Sequence, residues 1–311
     1  MFLTVIERKL PAKIVVLDAL LRRVPLEKSE YIKNLLKRAE IGYLGELKVD
    51  TIWKELDLPM KFLLFHNYEI PHYQIDTLFV CPHFLLILEI KNVAGYIWYE
   101  PEKHQFLRKR KSGEIESFQS PFDQVKRNVE KIERIIKYLG INIPIHKAVV
   151  IVEPTTVIGN MDGEISIFHA IGLRTEVKRL LLKYSKQNLG IVQFETLKEH
   201  LLKLYQPSKY KPKFEIPPIR KGAICNCGKV MAYKRGFTCI CGNKSKEALY
   251  QGLHDYRVLI SERITNREFR DFFFIESHDA ANKILKRLGF NSEGSNKNRK
   301  YLIPEDVWRI F

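Results

Sequence analysis

The run Phe84–Lys91 is apolar as far as Leu88 and then places Glu89 and Lys91 two residues apart. In a β-strand that spacing sends both side chains from one face, next to one another. A neighbouring β-prone run, Gln74–Val80, carries Asp76 near its start. Both acids end or interrupt apolar runs, which puts carboxylates at the end of a buried sheet. Two carboxylates held together repel unless they are protonated or bridged by a cation. Oxygen ligands of this kind suit Mg²⁺ or Mn²⁺, which keep several waters and take further ligands from phosphate. Lys91 would then stand beside the metal, able to orient an attacking water and to stabilise negative charge on the phosphate. Taken alone, an acid-x-Lys triplet at a strand end is more often a solvated salt bridge, so the wider pattern has to decide.

Residues 1–58 read as helical, with apolar positions at helical spacing and a break between helices at Gly42 and Gly45. Residues 62–110 change to short β-prone runs, Phe62–Phe65, Gln74–Val80, Phe84–Lys91 and Tyr96–Tyr99, separated by Pro, His and Gly. A helix follows over Pro121–Leu139, with Pro121 suited to its first turn. Strands at Lys147–Val152 and Ile165–His169 and helices at Leu173–Tyr184 and Phe194–Tyr205 complete an α/β/α pattern. The boundaries that result are an α/β domain over 1–206, a proline-rich linker over 207–223, a cysteine module over 224–246 and a basic domain over 247–311.

Gly45-Glu46 on a helix, Gln74-Ile75-Asp76, Leu88-Glu89-Ile90-Lys91-Asn92 with Gly95 following, and Ser120-Pro121-Phe122-Asp123-Gln124 opening a helix occur in that order. Together they resemble the nuclease-related domain (NERD) of the PD-(D/E)xK restriction-endonuclease-like superfamily, over roughly residues 40–150. The resemblance implies a mixed sheet flanked by helices, and a metal-dependent phosphodiesterase site made of Glu46, Asp76, Glu89, Lys91 and Gln124. It makes Asp76 and Glu89 direct ligands of Mg²⁺ or Mn²⁺ and Glu46 an outer or water-mediated one. Gln124, near a helix N-terminus, would face the phosphate. Thr77 departs from the domain, which often has His after the acid. Nucleophile chemistries find less support, because no Gly-x-Ser-x-Gly elbow, Walker loop or dinucleotide fingerprint occurs. Cys81, in an apolar run, reads as a buried inert thiol, and His66, His72, His83 and His104 read as surface or edge histidines.

Four of the five cysteines fall in two matched pairs, Cys225-Asn226-Cys227-Gly228 and Cys239-Ile240-Cys241-Gly242. Zinc needs four thiolates in a tetrahedron, and two tight turns with two thiolates each meet that demand. A disulfide scaffold would spread its cysteines through a small secreted domain instead. The module therefore resembles a zinc ribbon, structural or DNA-contacting, with no ligand position left open for catalysis.

Charge points the same way. Lys+Arg 52 against Asp+Glu 36 gives +16, and residues 207–311 account for +10 of it. Such a bias favours a polyanionic partner, and the last third is where it would bind. Residues 247–311 have the pattern of a winged helix–turn–helix. Thr265-Asn266-Arg267-Glu268 is a capping box, and Ser277 can cap a helix whose exposed face holds Lys283, Lys286 and Arg287. Lys297, Arg299 and Lys300 would sit on a basic wing. A small helical domain using its basic face for protein contacts is the plainer alternative. No apolar run approaches the ~20 residues of a membrane span, and Glu7-Arg8-Lys9-Leu10-Pro11 does not suit a signal peptide, so a cytoplasmic location is expected. These readings converge on a metal-dependent nuclease acting on nucleic acid, DNA foremost. A catalytically idle nucleic-acid-binding protein and a DNA-binding regulator that senses a small anionic ligand are the alternatives.

Overall fold

The chain opens with a strand that its sequence does not announce, β1 (Phe2–Ile6), where a helix is expected. Its last three residues, Thr4-Val5-Ile6, are β-branched and tolerate extended backbone, and β1 pairs in parallel with β2 (Phe62–Ile70). The computed structural model describes residues 2–161, 163–295 and 298–309. Helix α1 (Ala12–Arg23) follows, then α2 (Leu26–Lys54), which runs unbroken through Gly42 and Gly45 where the sequence suggests a break. Gly45 serves close approach instead: a Cβ there would stand 2.6 Å from the Cβ of Asn92, whose Nδ2 donates to the carbonyl of Ile41 at 2.7 Å.

Two compact units divide the chain, Met1–Leu10 with Glu40–Lys209 and Pro11–Ala39 with Tyr210–Phe311. In the first, β2 pairs antiparallel with β3 (Tyr73–Val80), and β3 with β4 (Leu85–Lys91). Three short strands, β5 (Tyr96–Glu100), β6 (Gln105–Lys109) and β7 (Ile115–Phe118), precede helix α3 (Pro121–Tyr138). Next come β8 (Ile145–Ile151), β9 (Val157–Ile158) and β10 (Ser166–His169), then helices α4 (Leu173–Lys183) and α5 (Ile191–Leu204). The six-stranded sheet has the order β1-β2-β3-β4-β8-β10, with β4, β8 and β10 mutually parallel. A second sheet has the order β7-β6-β5-β9.

Each face of the large sheet has its own core. On one, Leu85 and Ile87 of β4 pack with Val125 and Ile132 of α3 and with Phe194 and Leu197 of α5. On the other, Leu86 and Leu88 pack with Val49 and Trp53 of α2 and with Val177 and Leu180 of α4. The result is the mixed α/β sheet between helical layers that the sequence leads one to expect.

The second unit is held by a buried ion pair. Arg23 of α1 donates its Nε to Asp255 at 2.7 Å, both side chains 1% exposed, and its Nη1 to the carbonyls of Arg220 and Gly222. A charge so buried is tolerated only with partners of this quality. Asp255 lies on α6 (Glu247–Leu259), so Pro11–Ala39, assigned by sequence to the first domain, groups with the C-terminal residues. Before α6, β11 (Ala232–Tyr233) pairs antiparallel with β12 (Phe237–Thr238), and after it come β13 (Arg263–Thr265), α7 (Asn266–Phe273), α8 (His278–Leu288), β14 (Ser292–Glu293) and β15 (Lys300–Leu302). The capping box at Thr265 is made in full, and Ser277 accepts from the Ala280 N–H. β15 lies between β13 and β14 in an antiparallel sheet.

The two glycines of α2 make a direct stability test. Gly45→Val should cost about 1–3 kcal/mol, because Asn92 cannot withdraw without losing its bond to Ile41. Gly42→Ala, with nothing within 4 Å of the added Cβ, should stabilise by up to ~1 kcal/mol in urea denaturation.

Candidate active site and metal centre

The ladder between β3 and β4 stops at Thr77↔Leu88. Beyond it the strands part, and the Ile90 N–H donates at 2.7 Å to Oδ2 of Asp76 instead of to a strand carbonyl. On β2, Asn67 has a left-handed backbone (φ 45°), and it falls between the paired positions His66↔Thr77 and Tyr68↔Ile75. The alternation of faces shifts by one there, so Phe65 and Tyr68 both reach the same core. Asp76 thus sits at an irregularity in the sheet, where its carboxylate replaces a backbone acceptor.

Glu89 and Lys91 continue the face of Leu85 and Ile87, which α3 covers. Ser120 caps α3 by accepting the Asp123 N–H at 3.2 Å, and Pro121 takes the first helical position. This start brings Gln124 to Lys91, whose Nζ donates to Gln124 Oε1 at 3.0 Å and to Glu89 Oε1 at 2.6 Å. Asn128, one turn on, ties α3 to the sheet by donating to the Gln74 carbonyl.

The opposite face holds residues that no local sequence pattern marks. Arg8, just beyond β1, forks over Asp50 with Nε to Oδ2 at 2.6 Å and Nη2 to Oδ1 at 3.0 Å. Its Nη1 donates to Glu46 Oε2 at 2.6 Å and to Asn67 Oδ1 at 2.7 Å. Its Nη2 also reaches the Asp76 carbonyl at 3.0 Å and Thr77 Oγ1 at 3.2 Å. His66, expected at a surface or edge, is buried here, because it faces Thr77 across the ladder beneath α2. Burial lowers its pKa to about 4, so the ring is neutral near pH 7. One clue to Arg8 does exist in the sequence: Glu46 and Asp50 are one helical turn apart around the buried Val49, an arrangement that calls for a cation.

Glu46, Asp76 and Glu89 interact through space. Burial and then Asp76 push the Glu46 carboxyl up to about 7, and the same two causes push Glu89 up to about 8. Asp76 is raised by burial against the pull of Lys91 and the Ile90 N–H. Burial opposes the charge on Lys91, but Glu89 and Asp76 outweigh it and hold its pKa above the ordinary value. Carboxylates that resist ionising together are the condition a divalent ion relieves. Asp76 accepts from Ile90 through Oδ2 and Glu89 from Lys91 through Oε1, so each carboxylate keeps a second oxygen, Oδ1 and Oε2, to offer a cation. That all-oxygen donor set fits Mg²⁺ or Mn²⁺.

The cysteine pairs meet as well. Cys225 and Cys241 have sulfurs 3.7 Å apart, Cys227 and Cys239 3.5 Å apart, and all four lie within 4.8 Å of one another. A tetrahedron with Zn–S bonds of ~2.3 Å has edges of about 3.8 Å, so the group fits zinc closely. The knuckles repeat one another. The N–H of Gly228 returns to the Cys225 carbonyl and that of Gly242 to the Cys239 carbonyl, each glycine at positive φ. The Cys227 backbone and the Asn243 amide hold the Cys225 thiol down at about 6. Against the pull of the Cys241 backbone, burial and the neighbouring thiols push Cys239 up to about 12, a crowding of four sulfurs that a bound cation would relieve.

Of the basic residues picked out for nucleic acid, Lys283, Lys286 and Arg287 are exposed on α8, and Arg299 and Lys300 are exposed at the start of β15. Lys297 lies outside the described residues. No helix is long and apolar enough to cross a membrane among the described residues.

Compared with known proteins, residues 41–152 match the family model of the nuclease-related domain. That span takes in Glu46, Asp76, Glu89, Lys91 and Gln124. No curated protein and no solved structure matches the chain.

The metal centre yields a stoichiometry. Native mass spectrometry should find one zinc per chain, and Cys225→Ser should lose it together with the packing of Met231 and Phe237 against the module. A wild-type chain whose four clustered thiols all react promptly with a thiol reagent, with no zinc released, would contradict the assignment.

Proposed function

We propose that a chain carrying this nuclease-related domain is a metal-dependent nuclease that hydrolyses phosphodiester bonds in DNA. The observation that carries the reading is the meeting of Asp76, Glu89, Lys91 and Gln124, from two strands and a helix, where β3 and β4 separate. Asp76 and Glu89 would hold one Mg²⁺ or Mn²⁺, with Glu46 behind them. The ion supplies Lewis acidity toward the scissile phosphate and a more acidic water. Lys91, held between Glu89 and Gln124, would direct its ammonium at the charge that builds on the phosphate. Gln124, near the amino end of α3, would orient the same group.

The zinc knuckles and the C-terminal elements would bind the substrate. Their order, α6-β13-α7-α8-β14-β15, with β15 central in a three-stranded sheet, supports a winged helix–turn–helix with α8 as the recognition helix. Exposed Lys283, Lys286 and Arg287 would approach bases and phosphates, and Arg299 and Lys300 the flanking backbone.

Two measurements test this reading. Lys91→Ala should bind DNA nearly as well as wild type and cleave it ~10²–10³-fold more slowly, with Asp76→Ala at least as impaired and EDTA stopping wild type reversibly. Equal cleavage by wild type and both variants, purified identically, would leave the idle binding protein as the better reading. For binding, log K should fall linearly with log salt, and Lys286→Ala, Arg287→Ala and Arg299→Ala combined should shallow the slope by about 2–3 units. An unchanged slope would remove α8 and the wing from the interface.

A further inference from the structure

We infer that Arg8 is a resident cation standing where a second divalent ion would otherwise bind, so that the site at the sheet end takes one ion and not two. The inference rests on the reading of Asp76 and Glu89 as ligands, and it concerns the neighbouring place. The guanidinium of Arg8 is surrounded mainly by oxygen: the carboxylates of Glu46 and Asp50, the amide oxygen of Asn67, the carbonyl of Asp76 and the hydroxyl of Thr77, with the neutral His66 ring nitrogen Nδ1 as a further, longer contact at 3.4 Å. Two carboxylates with three neutral oxygens form the donor set that a hard divalent cation takes from a protein. Arg8 fills it with five N–H donors and a single positive charge.

Arg8 also excludes a competitor. Its side chain is 2% exposed, and the forked contact with Asp50 spends both oxygens of that carboxylate. An ion could enter only by expelling the guanidinium, which is anchored by the pairing of β1 with β2. Breaking such a buried pair leaves uncompensated charge behind, which opposes exchange. Asp76 joins the two places: its carbonyl accepts from Arg8, while its carboxylate accepts from the Ile90 N–H within electrostatic reach of Glu89 and Lys91. Two protein cations, Arg8 and Lys91, therefore flank the acids from opposite faces of the sheet. They leave one place, at Asp76 and Glu89, for an exchangeable ion.

Arg8 acts through Glu46 and Asp76 and is a positioning residue. Its replacement should change how many ions bind, which a purely structural role would not do. The experiment is a count of bound Mn²⁺ by electron paramagnetic resonance on the full-length, zinc-loaded protein. The Mn²⁺ concentration is set to saturate the ion that depends on Asp76. Wild type should bind one Mn²⁺, lost in Asp76→Asn. Arg8→Gln should bind two, and Arg8→Gln with Asp50→Asn should return to one. Two ions on wild type would overturn the inference by themselves, whether or not Arg8→Gln folds. One ion on both wild type and Arg8→Gln would overturn it too, since protons would then be neutralising Glu46 and Asp50. No ion on any of the proteins would overturn it through its premise, by removing Asp76 and Glu89 as ligands, and that result is distinct from the other two.

Discussion

Glu46 and Glu89 feel the charge of Asp76, and Glu46 and Asp76 that of Asp50, in a place that leaves Glu46 18% exposed, Asp50 10% and Glu89 6%. Their repulsion in poorly solvated surroundings is the constraint around which the first unit is arranged. Arg8 meets it from the side of α2, and Lys91 meets it from the side of α3. Each cation in turn needs scaffolding. For Arg8 this is the pairing of β1 with β2, and for Lys91 it is the capped start of α3 that delivers Gln124. The parting of β3 and β4 belongs to the same scheme, because it frees the Asp76 carboxylate to face the site while still satisfying the Ile90 N–H.

Much of this could be read from residue patterns, and the failures have physical causes. Buried strands announce themselves by unbroken apolar runs, so β3, β4 and β8 stand out in the sequence, and the acid-x-Lys triplet ends β4. Helix α3 was legible because Ser120 and Pro121 mark its start and its apolar residues repeat at helical spacing. By contrast β1 is five residues long and lies beside a helical stretch, and its pairing partner is some sixty residues away, so no local pattern declares it. Arg8 was lost with it. A lone arginine outside any periodic segment looks like solvated charge until the chain folds it over Glu46 and Asp50. Gly45 misled for the opposite reason: glycine is a common helix breaker, yet here the missing side chain makes room for Asn92.

The second unit repeats the lesson with a different pair. Its cysteine knuckles and its capping box are local in sequence and legible from it. The pair between Arg23 and Asp255 joins residues 232 positions apart, and only tertiary structure reveals it. Both units thus rely on a buried arginine from the first 25 residues, each clamped by carboxylate from a later helix. Such pairs contribute less to net stability than their geometry suggests, but losing one partner costs about 3–5 kcal/mol, so they determine which segments stay together.

The central claim is that the acids at the sheet end, already flanked by Arg8 and Lys91, accept a single divalent ion between Asp76 and Glu89. Crystals of the protein soaked in Mn²⁺ and measured for anomalous scattering test it most directly. One peak is expected in this region, at about 2.1 Å from a carboxylate oxygen of each of Asp76 and Glu89, with Arg8 still forked over Asp50. A peak in the place of the Arg8 guanidinium, or none near Asp76 and Glu89 at saturating Mn²⁺, would contradict it.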